Sequence, residues 1–289
     1  MRRIAPAILL VLSFLGGCAS TGGEQPSLLS DDAPVSKIME KGDEAAMKGD
    51  YLAAATLYQH AIQIEPSVEL WYRLGLALSR QEKMDQALYA FENALQLDPE
   101  HEGSLQHIGL YLTSKGRSED AKFYLDRLVE VNPENWRAHN ALGIVADLEE
   151  RLNDAATHYQ TAIDLNPDNP MLWSNLGYSL YLADDLSTAR EKFEKALTLN
   201  PAYRPARRNL ALLYARQEEY AEALKMMLTA EEEAKAFTDV GLLALKLGHY
   251  EQAELLLTEA VDRSPTYNAE ASHGLSAVRK AIRQREGSS

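Results

Sequence analysis

The chain has 289 residues, 46% of them hydrophobic and 25% charged, with a formal net charge of −14. A chain of this size can bury a large core as one or two ordinary domains. Its acidity argues against nucleic acid as the main partner, because phosphate backbones are held by concentrated positive charge. Only 16 glycines and 11 prolines interrupt long stretches rich in Ala, Leu, Glu, Lys and Tyr, a composition that points to helix.

The first stretch, "MRRIAPAILLVLSFLGGCAS", starts with a basic pair, runs through apolar residues from Ile4 to Leu15 and ends in small ones. This is the layout of an export signal, too short for a bilayer span of about twenty residues. Leu15, Gly16, Gly17 and Cys18 resemble the lipobox of bacterial lipoproteins. The resemblance implies a signal peptide over 1–17 and a lipid on Cys18. Ala19, in place of Asp, implies sorting to the outer membrane, facing the periplasm. Having no second cysteine suits an oxidising compartment, where a spare thiol could mispair. Several acyl chains anchor firmly where a single one binds only marginally. Residues 18–34 collect Gly, Ser, Pro and acid without a helical period and read as a flexible tether.

From residue 35 to 267 the chain repeats. "AIQIEP", "ALQLDP", "LVEVNP", "AIDLNP" and "ALTLNP" close at Pro66, Pro99, Pro133, Pro167 and Pro201, and "AVDRSP" closes at Pro265. A period near 34 predicts stacked helix pairs rather than a single globular core. Gly42, Gly75, Gly109, Gly143, Gly177 and Gly241 recur inside the first helix of each pair, where glycine costs about 1 kcal/mol against alanine. Twelve residues later stand Ala54, Ala87, Ala121, Ala155, Ala189 and Ala253. The expectation is that small residues at both places let the two helices approach, with bulky Trp71, Trp173, Phe237, Tyr58, Phe91, Tyr159 and Phe193 filling the space around them. Each proline ends the second helix. In the sixth repeat Ala211 replaces the glycine and four residues are missing, which predicts a local change of superhelix near Ala230 to Lys235. Residues 268–289 read as a capping helix and tail, with a basic outer face at Arg279, Lys280, Arg283 and Arg285.

These registers resemble the tetratricopeptide repeat. The resemblance implies an all-α, right-handed superhelical solenoid of about seven repeats with a C-terminal capping helix, acting in protein binding. It also implies that one side of each first helix lines a concave groove. In repeats four to six those positions hold Asn140, Ile144, Asn175, Tyr178, Tyr181, Arg208, Asn209 and Leu212. An asparagine amide can both donate to and accept from a peptide bond, and tyrosine combines flat apolar area with a polar tip. The five-residue clamp by which related proteins hold chaperone tails is absent.

Catalytic patterns are not met. In "HEGSLQH" the residue four after His101 is Leu105, where a zinc-binding helix needs histidine. In "GYSLY" Tyr181 takes the place of the second glycine of a nucleophile elbow. His139 falls at a core position and reads as a packed side chain, so no metal, cofactor or enzymatic activity is expected. Among exported repeat lipoproteins the chain resembles the TadD family of tight-adherence (Flp-type) pilus assembly, on "ARRNLALLYARQEEYAEAL", "AEEEAKAFTDVGLLAL" and "SPTYNAEASHGL". The resemblance implies a membrane-anchored scaffold with protein partners in the cell envelope, among them pilus or secretin components. The competing reading is an adaptor that recruits peptidoglycan hydrolases or proteases in the periplasm.

Overall fold

The computed structural model describes residues 33–228 and 233–286. The signal segment, Cys18, nearly all of the tether and residues 287–289 lie outside the described residues. So do residues 229–232, which include half of the stretch where the superhelical change is expected. Seven helix pairs follow in chain order: α1 (Val35–Met47) with α2 (Tyr51–Ile64), α3 (Val68–Arg80) with α4 (Met84–Leu97), and α5 (Glu102–Ser114) with α6 (Ser118–Val131). Next come α7 (Trp136–Leu148) with α8 (Leu152–Leu165), α9 (Pro170–Leu182) with α10 (Leu186–Leu199), α11 (Arg204–Arg216) with α12 (Tyr220–Met227), and α13 (Glu233–Leu247) with α14 (Tyr250–Asp262). A last helix, α15 (Ala269–Glu286), closes the stack. There is no strand among the described residues, and each helix packs mainly on its neighbours in sequence, as a solenoid requires.

Two kinds of turn set the repeat. Within a pair, one residue takes a left-handed backbone: Gly49, Glu82, Gly116, Glu150, Asp184, Glu218 and Gly248, with φ between 58° and 82°. That twist lets the next amide reach back five residues to close the helix, as in Asp50 N–H to Ala45 O at 2.9 Å and Arg151 N–H to Ala146 O at 2.8 Å. Carbonyls that would otherwise lack a donor are satisfied. Between pairs, the residue before the proline folds its side chain over the turn. Asp98, Asn132 and Asn200 each accept an amide two residues on at 3.0 Å, and the proline prevents the helix from continuing.

The glycines make a different contact from the one expected. A Cβ placed on Gly42, Gly75, Gly143 or Gly177 would lie 2.5–2.7 Å from the ring of Tyr58, Phe91, Tyr159 or Phe193. On Gly109 and Gly241 it would lie 2.7 Å from Leu125 and Leu257. In every case the neighbour stands sixteen residues on, not twelve. The alanines are fully buried, but the missing Cβ makes room for the large side chain one helical turn beyond them. Trp71, Trp173 and Phe237 are only half-buried, and Trp173 donates its indole N–H to Pro167 O at 2.7 Å near the surface.

The sixth repeat shows what the deletion does. α12 has 8 residues where α10 has 14, and its last residue, Met227, stands sixteen after Ala211. A flexible thioether in place of a ring leaves space for the alanine methyl. Arg207 of α11 donates to Met226 O at 2.7 Å and Leu228 O at 3.2 Å, so a guanidinium supplies donors that the absent turn would have provided. At the C-terminal end Ala271 and Val278 of α15 are buried. All four cations of its expected outer face are exposed, and two also reach α14: Arg279 meets Glu254 at 2.9 Å and Arg285 meets Glu251 at 3.9 Å.

Candidate binding groove

The first helices lie closer to one another than the second helices do. α5, α7, α9, α11 and α13 touch in succession, and side chains bond across these contacts. Ser179 of α9 donates to Asp147 of α7 at 2.6 Å, and Arg216 of α11 donates to Tyr181 O of α9 at 3.3 Å. In a stack of pairs, the side on which neighbours crowd is the concave side. The first helices therefore line it.

From the second repeat on, the residue just after the glycine, or after Ala211 in the sixth repeat, stays partly open. Leu76, Leu110, Ile144, Tyr178 and Leu212 follow one another at steps of 34, with Leu242 continuing the row; all are half-buried except Tyr178, which is 38% exposed. Together they make an apolar row along the groove. The sequence reading identified Ile144, Tyr178 and Leu212 and missed Leu76, Leu110 and Leu242, which the same step locates.

The asparagines use part of their capacity on each other. Asn175 donates to Asn140 Oδ1 at 2.8 Å, and Asn209 donates to Ser174 Oγ at 3.3 Å. Asn140 is 7% exposed, so it serves as the support for Asn175, and the accessible amides are Asn175 and Asn209. Tyr178 and Tyr181 stack with centroids 6.1 Å apart and planes 18° from parallel. Arg216 lies over the Tyr181 ring at 5.1 Å and is fixed by Asp184 at 2.7 Å. Burial raises the Tyr181 phenol pKa above its ordinary value, and the Arg216 charge opposes that shift. Tyr178 is thus the outer, uncovered member of a braced pair.

Charge divides between the two helix layers. The seven first helices carry 11 Lys and Arg against 8 Asp and Glu, while the seven second helices carry 6 against 15. From α3 to α13 every first-helix carboxylate is engaged: Glu69 by Arg73, Glu102 by Asn132 and Asn135, Asp147 by Tyr159 and Ser179, Glu233 by Arg263, and Asp239 by Lys235. Exposed Arg80, Arg137, Arg208 and Lys246 have no carboxylate partner among the described residues. The groove of an acidic chain therefore offers cations.

The histidines serve packing and capping. His139 is 8% exposed, with Nε2 3.0 Å from Pro133 O and Nδ1 3.4 Å from His158 Nδ1. Burial, with His139 next to it, lowers the His158 pKa. His101 caps α5 by accepting the Ser104 amide at 3.2 Å. Among the described residues no three His, Cys, Asp or Glu side chains gather as metal ligands, and no helix is long and apolar enough to cross a membrane.

Comparison with known families agrees with this geometry. Residues 149–184 match the TPR repeat, and residues 170–203 and 234–267 match the tetratricopeptide repeat. This is a tetratricopeptide-repeat protein. Residues 42–151 also match the middle TPR-like domain of cilia and flagella-associated protein 70. A tetratricopeptide repeat protein from Parabacteroides merdae superposes with a TM-score of 0.66 at 20% identity, over 85% of this chain and 98% of that one. MamA from Desulfovibrio magneticus RS-1 superposes with a TM-score of 0.55 at 24% identity, over 58% of this chain and 96% of that one. Both likenesses concern the fold alone. No curated protein matches the chain.

Proposed function

We propose that the concave groove captures an acidic, partly apolar segment of a partner protein, through Ile144, Tyr178 and Leu212 in the apolar row and Asn175, Tyr181, Arg208 and Asn209 beside it. Tetratricopeptide repeats make the chain a protein–protein interaction scaffold, a fold that is typically non-catalytic. The observation that carries the reading is the apolar row at steps of 34 residues, bordered by cations with no carboxylate partner among the described residues. The proposal extends to place and process. Cys18 at the end of "LGGC" supports a lipid anchor, and the tight-adherence resemblance supports a role in assembling a pilus or secretion machine at the bacterial outer membrane.

The test is capture from cell-envelope extract by the wild type and by Tyr178→Ala and Asn209→Ala variants, with the partners identified by mass. Losing a central aromatic anchor costs about 2 kcal/mol, roughly thirtyfold in affinity, so the Tyr178 variant should lose most of its partner. Asn209→Ala should cost about 1 kcal/mol, since water replaces part of its hydrogen bonding. Equal recovery by both variants would remove the groove from the mechanism. Pilin or secretin among the partners supports the assembly role, and a peptidoglycan hydrolase would support the adaptor role instead. Cys18→Ser should free the folded chain from the membrane fraction; unchanged attachment would overturn the anchor.

A further inference from the structure

The outer faces of α4 and α6 carry a pattern that the groove does not use. Asp85, Tyr89 and Glu92 on α4 correspond, 34 residues on, to Glu119, Phe123 and Asp126 on α6. Spacings of four and three put each aromatic on one helix face with an acid a turn to either side. Tyr89 is 62% exposed and Phe123 58%, large values for rings of this size. The central position holds Thr56, Thr157, Glu191 and Lys225 in α2, α8, α10 and α12, and Leu255 in α14, so neighbouring aromatics occur only here.

The two rings are braced rather than loose. Trp71 meets Tyr89 edge-on with centroids 6.1 Å apart, and Tyr124 meets Phe123 edge-on at 5.2 Å. The two helices are the second members of successive pairs, so the two patterns recur one repeat apart, and the Glu92 charge on α4 adds to the effect of burial in raising the pKa of the Tyr124 phenol on α6. Asp85, Glu92 and Glu119 make no ion pair among the described residues, while Asp126 is paired with Lys122. An arginine laid over either ring would gain a cation–π contact and a carboxylate within one turn.

We propose that α4 and α6 form a second docking surface, on the side away from the groove, for a partner segment in which arginine or lysine alternates with apolar residues. The groove takes acidic segments and this face takes basic ones, so one chain can hold two partners of opposite charge.

The experiment uses the full chain and two fluorescein-labelled synthetic peptides of equal length and identical leucine placement. One peptide carries arginine and lysine at the remaining positions, the other glutamate and aspartate. Fluorescence anisotropy should show the basic peptide binding the wild type and losing about tenfold in affinity, about 1.4 kcal/mol, in the Tyr89→Ser, Phe123→Ser double variant. Glu92→Lys should weaken it to a similar degree. A Leu255→Ser, Glu251→Lys control on α14 and Tyr178→Ala in the groove should leave it unchanged. Equal loss in the α14 control would show diffuse attraction to an acidic chain and overturn the proposal. So would an unaltered double variant with intact helicity, absence of binding by the basic peptide, or equally tight binding of the acidic peptide at this face.

Discussion

Gly143→Ala is the sharpest test of the packing. On an exposed helix the change should stabilise by about 1 kcal/mol, because alanine loses less backbone entropy and shields the helix better. Here the new methyl would sit 2.7 Å from Tyr159 Cε1, well inside van der Waals contact. Tyr159 has little freedom to yield, being 2% exposed and tied through its hydroxyl to Asp147 Oδ2 at 2.8 Å. Overpacking of this kind costs about 3 kcal/mol at the upper end of its usual range, leaving a net loss of about 2 kcal/mol. For a chain of this length that is a fall of about 4–8 °C in melting temperature. The sixth repeat supplies the companion experiment, because it already pairs alanine with methionine in this register. Tyr159→Met should destabilise alone through the lost hydrogen bond. Combined with Gly143→Ala it should cost at least about 1 kcal/mol less than the sum of the two. Circular dichroism melting of the four proteins measures this. A Gly143→Ala protein as stable as the wild type, or strictly additive costs, would refute the sixteen-residue contact.

Arg207→Ala removes the donors to Met226 O and Leu228 O and should cost about 1–3 kcal/mol, with faster hydrogen exchange at the end of α12 than in α10. Glu150→Gly relieves a left-handed backbone at φ 58° and should raise stability by about 0.5–1 kcal/mol, whereas Gly116→Ala should lower it by about 1 kcal/mol. Burial raises the Asp147 carboxyl pKa above the ordinary aspartate value, against the opposing Ser179 and Tyr159 hydrogen bonds. The folded chain thus holds that proton more tightly than the unfolded one, so this group's contribution falls as pH rises from the ordinary value through the raised one. The melting difference between wild type and Asp147→Asn should therefore shift in favour of the wild type as pH falls through that window; the opposite slope would contradict the assignment.

Much of the fold was legible because packing repeats. Glycine, alanine and proline recur at fixed steps, and each step corresponds to one physical demand made in all or nearly all of the repeats. The contact partner of the glycine was not legible, because alanine at twelve and a bulky residue at sixteen are equally periodic, and only the helix geometry separates them. In the groove, Tyr178 and Ile144 could be read from position alone. That Asn140 is a buried support could not, since its exposure depends on the Asn175 bond from the next repeat. The engaged state of Glu102 and Asp147 was hidden for the same reason: Asn132, Asn135 and Ser179 lie some thirty residues away, and Tyr159 lies in the partner helix of the pair.

Agreement and disagreement between repeats carry different information. Where the repeats agree, as at Gly143 and Gly177 with their rings, the shared residue is explained by the contact inside one pair, and the same contact would serve any protein with this fold. Where neighbours could differ freely and instead agree only locally, packing supplies no reason. Tyr89 and Phe123 lie more than half exposed at a position that the other second helices fill with threonine, glutamate, lysine or, in α14, leucine, never with a ring. Exposed rings cost solubility and contribute little to the fold, so their recurrence on two adjacent helices needs a cause outside the chain. The same reasoning applies to Arg80, Arg137, Arg208 and Lys246, which have no carboxylate partner among the described residues. A chain of charge −14 could neutralise Arg208 or Lys246 with any nearby carboxylate, yet its surplus acids sit on the other layer. Segregation of this kind lowers the cost of bringing in a ligand of the opposite sign at each face, and it is lost if the cations and acids are exchanged between layers while the net charge is kept.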